Sequence, residues 1–106
     1  MAETETIISE RAASQAQIRT EHASRYLQQL CKHWSHKFAV SFDPTHGVVP
    51  FPTSRCTFDA TPDVLTLRID AAPDDLARME GVVAEHLGRF AFREELDIRW
   101  TQVTAP

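Results

Sequence analysis

The sequence predicts an α+β fold, a mostly antiparallel sheet with two helices packed on one face. Two segments repeat apolar residues at steps of three and four, the helical period, and several shorter segments alternate apolar and polar residues. The order of these elements is β-α-β-β-β-α-β. Each alternating segment has one apolar and one polar side, which is typical of an antiparallel sheet covered on a single side. We therefore expect a two-layer sandwich with both helices on the apolar side.

The first helix is predicted from Glu21 to Lys37, after a weakly alternating strand at residues 14–19. Thr20 is suited to cap its N-terminus, and Lys32 lies near the C-terminal end, where cations are favoured. The apolar residues of this helix form one stripe: Ala23, Tyr26, Leu27, Leu30, Cys31 and Trp34.

Three strands are expected between the helices. Residues 38–42 alternate and are followed by a turn. The next segment, residues 47–60, is extended but contains Pro50 and Pro52. These prolines predict a kinked or edge strand, because proline cannot donate to a sheet ladder. Residues 65–69 then alternate cleanly.

The second helix is predicted to begin at Pro73, a residue suited to the first helical position, and a closing strand is expected at residues 96–100. Its apolar stripe consists of Leu76, Met79, Val83, Leu87 and Phe90. A neighbouring stripe of small residues consists of Ala77, Gly81, Ala84 and Gly88. Glycine in a helix costs about 1 kcal/mol relative to alanine, and close approach usually offsets that cost. The small stripe therefore predicts contact with the first helix or, alternatively, a self-association face.

The 106 residues are the size of one domain, with residues 1–12 expected as a loose tail and residues 13–103 as the folded unit. The net charge of −4 and the lack of a Lys/Arg run argue against nucleic-acid binding. No apolar run reaches the ~20 residues of a membrane span, and the acidic N-terminus is unlike an export signal, so we expect a cytoplasmic protein without membrane association. Cys31 and Cys56 lack the spacing of a zinc or redox pair and are expected as reduced core thiols.

The sequence contains no phosphate-loop, dinucleotide-binding, serine-hydrolase or zinc-protease signature. We therefore assign no catalytic residue, no cofactor and no metal ligand, and we do not expect an enzyme. The polar side of the sheet carries Asp43, Asp59, Asp70 and Asp97, but nothing in the sequence places two of these carboxylates in one cleft.

A candidate binding face lies on the first helix, where five polar residues share one narrow stripe turned away from the apolar one. They are His22, Arg25, Gln29, His33 and His36. This face is either a solvated surface or a site for an anion, an acidic partner or a metal. His22 and His36 would be about 21 Å apart along a helix and cannot share an ion. His33 and His36 together supply only two of the ligands that zinc requires.

A candidate polar cluster lies at the junction of the second helix and the last strand. His86, Arg93 and Glu94 could meet there, although a salt bridge at the helix end explains the same residues.

Two stretches of the chain resemble a known family. One runs from His22 to Lys37 and contains His-Ala-Ser-Arg-Tyr-Leu and Leu-Cys-Lys-His. The other runs from His86 to Leu96 and contains Arg-Phe-Ala-Phe-Arg-Glu-Glu-Leu. Together they are similar to the bacterial domain-of-unknown-function family 2218, over residues 13–100. The resemblance implies a bacterial protein without an assigned activity and supplies no catalytic residues.

The resemblance also implies an association with siderophore-interacting flavin reductases, and hence an accessory role in iron handling with such a flavin-dependent reductase as partner. We expect a non-enzymatic binding or accessory module that is a monomer or a homodimer. The alternative is a small enzyme with an unrecognised site near the junction of the second helix and the last strand.

Overall fold

The computed structural model describes residues 12–103, which form a six-stranded antiparallel open sheet with two α-helices packed against it. In chain order the elements are β1 (Ala12–Arg19), α1 (Ala23–Trp34), β2 (Ser41–Phe42), β3 (His46–Pro50), β4 (Ser54–Ala60), β5 (Val64–Ala71), α2 (Pro73–Phe90) and β6 (Thr101–Val103). The strands lie in the order β2-β3-β4-β5-β1-β6. The fold class predicted from the sequence is confirmed.

The core lies between the two helices and one side of the sheet. Alternation along β4 and β5 turns Cys56, Phe58, Leu65, Leu67 and Ile69 inward, and each of these side chains is fully buried. Every residue of the apolar stripe predicted for α1 is buried, and so are four of the five predicted for α2, with Phe90 only partly buried. Burying one large apolar side chain stabilises a fold by about 1.5–3 kcal/mol, so these stripes hold both helices on the sheet.

The segment with two prolines is a hairpin rather than the single kinked strand predicted over residues 47–60. β3 and β4 pair antiparallel, with Pro50 opposite Arg55, and residues 51–53 form the loop between them. Pro52 lies in this loop, where its missing N–H removes no ladder hydrogen bond. The prolines therefore end a strand instead of bending one.

Two strand boundaries also differ from the prediction. The expected strand at residues 38–42 is reduced to β2, because the Phe38 amide donates back to the Trp34 carbonyl at the end of α1 over 3.0 Å. The closing strand was predicted at residues 96–100, but pairing with β1 begins only at Thr101. Apolar residues of that segment still pack against the core, so their alternation marked a buried side and not a hydrogen-bonded strand.

The ends of α1 lie inside the predicted range. The helix begins at Ala23 and its N-cap is His22, so the assignment of Thr20 as N-cap was wrong. The Thr20 hydroxyl instead accepts a hydrogen bond from the His22 amide over 3.1 Å in the turn before the helix. At the other end, residues 35–37 form a turn, and the helix therefore stops at Trp34.

The small-residue stripe of α2 does not contact α1 at its two glycines. A Cβ atom added at Gly81 or Gly88 would meet no other group within 4 Å, so the predicted helix–helix contact there is wrong. Self-association through this stripe stays a prediction.

The loose tail expected at residues 1–12 lies outside the described residues except for Ala12, which is the first residue of β1. Within residues 12–103, neither helix is long and apolar enough to cross a membrane.

Candidate functional site

A groove of about 550 Å³ opens between the end of α1, the middle of α2 and the loop joining β3 to β4. We call it the helix–loop groove. The residues of α2 that line it lie at positions 78, 79, 82 and 86, a spacing that places them on neighbouring turns of one helix face. The groove thus depends on how the two helices and the loop pack together.

The floor of the helix–loop groove is apolar and largely aromatic. It is formed by Trp34, Phe38, Phe51, Met79 and Val82. The Trp34 and Phe51 rings meet edge to face with centroids 5.1 Å apart, and Phe38 meets Phe51 in the same way at 5.2 Å. Aromatic pairs in this geometry are stabilising beyond the area they bury, so the floor is a packed surface.

The rim of the groove is basic. It carries His33, His36, Lys37, Arg78 and His86, and no carboxylate is among the described residues that line the groove. Arg78 is fixed in place by the Asp75 carboxylate, with Nε 2.7 Å from Oδ1. This pair raises the pKa of Arg78 above its ordinary value and, together with the Thr53 hydroxyl, lowers that of Asp75.

The loop between β3 and β4 is tied to α2 through that same carboxylate. The Thr53 hydroxyl donates to Asp75 Oδ2 over 2.8 Å, while Arg78 donates to both oxygens of the group. Asp75 therefore holds the loop that carries Phe51 against the helix that carries Arg78.

His86 has a defined hydrogen bond at one ring nitrogen. Its Nδ1 atom lies 2.7 Å from the carbonyl oxygen of Val82. A carbonyl oxygen can only accept, so Nδ1 must carry the proton and donate. The Nε2 atom then has a free lone pair when the ring is neutral, and becomes a second donor when the ring is protonated.

His33 lies beside His86 where α1 and α2 meet. The two ring centroids are 5.3 Å apart, and the Phe90 ring meets His33 edge to face with centroids 6.0 Å apart. Desolvation lowers the pKa of His33, and electrostatic repulsion from the neighbouring His86, His36, Arg89 and Lys37 lowers it further. His33 therefore resists taking up a proton.

The residues of the predicted histidine face of α1 do not all lie at one site. His33 and His36 lie on the groove, whereas His22 and Arg25 lie at the start of the helix, where Arg25 Nη2 is 3.5 Å from His22 Nδ1. Gln29 lies between them and does not line the groove. Of the five residues, the geometry therefore brings only His33 and His36 to this site.

The predicted polar cluster is not assembled, since its three members have different neighbours. His86 lies in the groove, and Arg93 lies over the Phe92 ring at 5.4 Å. The Glu94 carboxylate accepts hydrogen bonds from the hydroxyls of Thr20 and Tyr26. Glu94 thereby ties the chain that leaves α2 to the start of α1.

The four aspartates predicted for the polar side of the sheet each have a partner of their own, and Asp43 and Asp97 lie outside the strands. Asp43 accepts the backbone amides of Thr45 and His46 in the turn before β3, which lowers its pKa. The other three pair with neighbours: Asp59 with His46, Asp70 with Arg68, and Asp97 with Arg99. No group of three or more His, Cys, Asp or Glu side chains able to hold a metal ion occurs within residues 12–103.

Comparison with known proteins identifies the family. The profile of a family described as "Uncharacterized protein conserved in bacteria (DUF2218)" matches residues 15–101. The chain belongs to the DUF2218 family. The resemblance noted in the sequence is thus confirmed.

Among solved structures, the NMR structure of PA4090 from Pseudomonas aeruginosa is similar to this DUF2218 chain. The two are 43% identical, with a TM-score of 0.71, over 85% of this chain and 95% of PA4090. A search of curated proteins gave no match. The family description assigns no activity.

Sequence reasoning missed most of this groove. Trp34 was assigned only to the core stripe of α1, and Phe51 and Arg78 were not singled out at all. The signal that could have found the loop is Phe51 itself, a large aromatic residue between two prolines. Prolines favour turns, so Pro50 and Pro52 could have predicted a loop that carries Phe51.

Proposed function

We propose that this DUF2218 protein is a non-enzymatic binding module whose helix–loop groove takes a small aromatic anion. The observation that carries the proposal is an aromatic floor beneath a basic rim with no carboxylate in its described lining. Ligand sites are commonly apolar concavities of about 300–1,000 Å³ with a few polar groups that fix orientation. The groove has this size and this distribution of chemistry.

The ligand class follows from the division between floor and rim. A planar ring would lie against Trp34 and Phe51, where it replaces water next to apolar surface. Its negative group would face Lys37 and Arg78, whose charges favour an anion. An uncharged ring or an aliphatic anion would satisfy only one of these two regions.

Catecholates and 2-hydroxybenzoates have this chemistry, and both can chelate iron through two adjacent oxygen atoms. The proposed role is therefore accessory, in iron or siderophore handling. The partner we propose is a siderophore-interacting flavin reductase, as the family resemblance implied, and mixing the two proteins and measuring their combined mass by light scattering tests that step.

A small enzyme at the junction of α2 and the last strand is the competing proposal. Glu94 there is already engaged by Thr20 and Tyr26, and burial and this carboxylate raise the pKa of Tyr26 to about 12. A hydroxyl with that pKa is a poor acid or base near neutral pH. These contacts favour a structural role for the junction and support the binding proposal.

Trp34 fluorescence tests the binding proposal directly in a Trp100→Phe background, because the chain has two tryptophans and Trp34 lines the groove. Dihydroxybenzoate should change the emission with saturation, whereas benzyl alcohol and acetate should bind at least about tenfold more weakly, since each lacks one interaction.

The matched variants are Lys37→Gln, which removes a rim charge, and Lys32→Gln, which removes a charge outside the groove. We expect weaker binding only for Lys37→Gln. Equal binding of all three probes, or no saturable change with any, contradicts the proposal.

A further inference from the structure

His86 is a rim histidine with one ring nitrogen committed to a hydrogen bond. Its Nδ1–H is committed to the Val82 carbonyl, at 2.7 Å, within one turn of α2. Only Nε2 remains to meet a ligand, and no described residue is hydrogen-bonded to it. In a neutral ring this atom presents a lone pair, which repels an anion.

Resting on the proposed function, we infer that the groove takes up its anion together with one proton, which is held on His86. Protonation turns Nε2 from an acceptor into a charged donor, and charge-assisted hydrogen bonds are roughly twice as strong as neutral ones. The anion is thus bound by the imidazolium form, and its affinity increases as the pH falls through the histidine range.

The charged groups around His86 come from both helices, and none of them is a free carboxylate. The cationic or titratable ones are His33, His36 and Lys37 from the end of α1 with its following turn, and Arg78 and Arg89 from α2. The loop between β3 and β4 contributes Thr53, Phe51 and Pro52, which do not titrate in this range.

The two acidic groups of α2 in this region are already paired. Asp75 is bound by Arg78 and Thr53, and Glu85 Oε2 lies 3.7 Å from Arg89 Nη2. A proton on His86 therefore has no carboxylate of its own to balance it. An incoming anion would supply that balance, which is why proton and anion are expected to bind together.

The lowered pKa of the adjacent His33 agrees with this coupling. Without a ligand, desolvation and the neighbouring His86 disfavour a charge on His33. A bound anion would offset both effects, so it makes the rim easier to protonate. Because such coupling is reciprocal, protonation of the rim also raises its affinity for the anion.

The test uses benzenesulfonate, which remains an anion throughout the histidine range and so does not titrate itself. Calorimetry from about pH 8 to about pH 5.5, in buffers of different ionisation enthalpy, gives both the affinity and the number of protons taken up. We expect uptake approaching one proton per anion, and an affinity that increases by up to about tenfold for each unit by which the pH is lowered towards the histidine range.

The variant His86→Gln should bind with an affinity that depends much less on pH, and its proton uptake should fall. His46→Gln is the matched control, because His46 is exposed, pairs with Asp59 and does not line the groove. Proton uptake by the unaltered protein supports or overturns the coupling even if His86→Gln fails to fold.

The outcomes separate the two proposals. No binding at any pH overturns both of them. Binding without pH dependence or proton uptake overturns the coupling and leaves the binding function standing. Proton uptake that persists unchanged in a folded His86→Gln protein overturns the assignment to His86.

Discussion

The sulfur of Cys31 on α1 lies directly over Gly47 on β3. A Cβ atom added at Gly47 would be 2.6 Å from Sγ and 3.1 Å from the Cβ of Phe42. No glycine among the described residues has a positive φ, so position 47 needs glycine for close approach and not for backbone conformation. The helix sits this near to the sheet because position 47 has no side chain.

Gly47→Ala should therefore destabilise the protein. Overpacking of a well-packed core typically costs about 1–3 kcal/mol, and we expect a loss of free energy of unfolding in that range by urea denaturation. In the double variant Gly47→Ala/Cys31→Ala, the added methyl group can occupy the space that the sulfur leaves. The loss of unfolding free energy in the double variant should therefore be smaller than the sum of the losses in the two single variants. A Gly47→Ala protein as stable as the parent would show that the helix shifts freely.

Gly81→Ala and Gly88→Ala should have the opposite effect. Both positions are exposed in α2, and an added Cβ meets nothing within 4 Å. Alanine favours a helix by about 1 kcal/mol over glycine, so each variant should gain up to that amount in the free energy of unfolding. Loss of stability together with a smaller mass by light scattering would indicate that this stripe is a self-association face.

The thiols of Cys31 and Cys56 should be unreactive in the folded protein. Both are free and fully buried, and burial raises the pKa of Cys31 to about 12 and that of Cys56 well above its ordinary value. Because the thiolate is the nucleophile, a disulfide reagent near neutral pH should label neither in buffer and both in denaturant. Rapid labelling of either thiol under native conditions would contradict the full burial of these two side chains.

Ionisation of Tyr26 should lower the free energy of unfolding in strong alkali. Burial and the Glu94 carboxylate raise its pKa to about 12 from 10.0. The folded state thus retains a proton that the unfolded state loses, so this contribution is intact below pH 10 and disappears as the pH rises towards 12. As Tyr26 is the only tyrosine, its ionisation can be followed by ultraviolet absorbance.

Tyr26→Phe provides the control for that titration. The variant should be less stable at neutral pH by about 1–3 kcal/mol, because the partly buried Glu94 carboxylate loses one of its two hydroxyl donors and keeps only Thr20. The stability difference between parent and variant should shrink in strong alkali. A native tyrosine midpoint near that of free tyrosine would contradict the buried contact with Glu94.

The apolar periodicity of the sequence was sufficient to predict the helices and strands in which that periodicity is uninterrupted. The stripe from Ala23 to Trp34 repeats over three turns, and Leu65 to Ile69 alternates without interruption, so both were predicted on the correct side. The pattern was misleading where an apolar alternation had no strand beside it. Leu96 and Ile98 pack against the core, yet the ladder begins only at Thr101.

The groove could not be predicted from local patterns because its parts are distant in sequence. His33 and His86 meet only because α1 and α2 cross at that point, and neither helical stripe specifies that crossing. Glu94 was expected near His86, but a hydrogen bond to Tyr26 carries it to the other helix. Contacts of this kind depend on tertiary packing, and the spacing of residues along the sequence carries no information about that packing.

The position of β1 in the sheet has a consequence for how the chain acquires its structure. This strand lies between β5 and β6, which are the last two strands within residues 12–103. Its first partner to be synthesised is β5, and one helix and three strands lie between the two in the chain, so β1 stays unpaired until β5 is available. Long-range pairing of this kind slows folding and leaves an unpaired strand edge available to the wrong partner in the meantime.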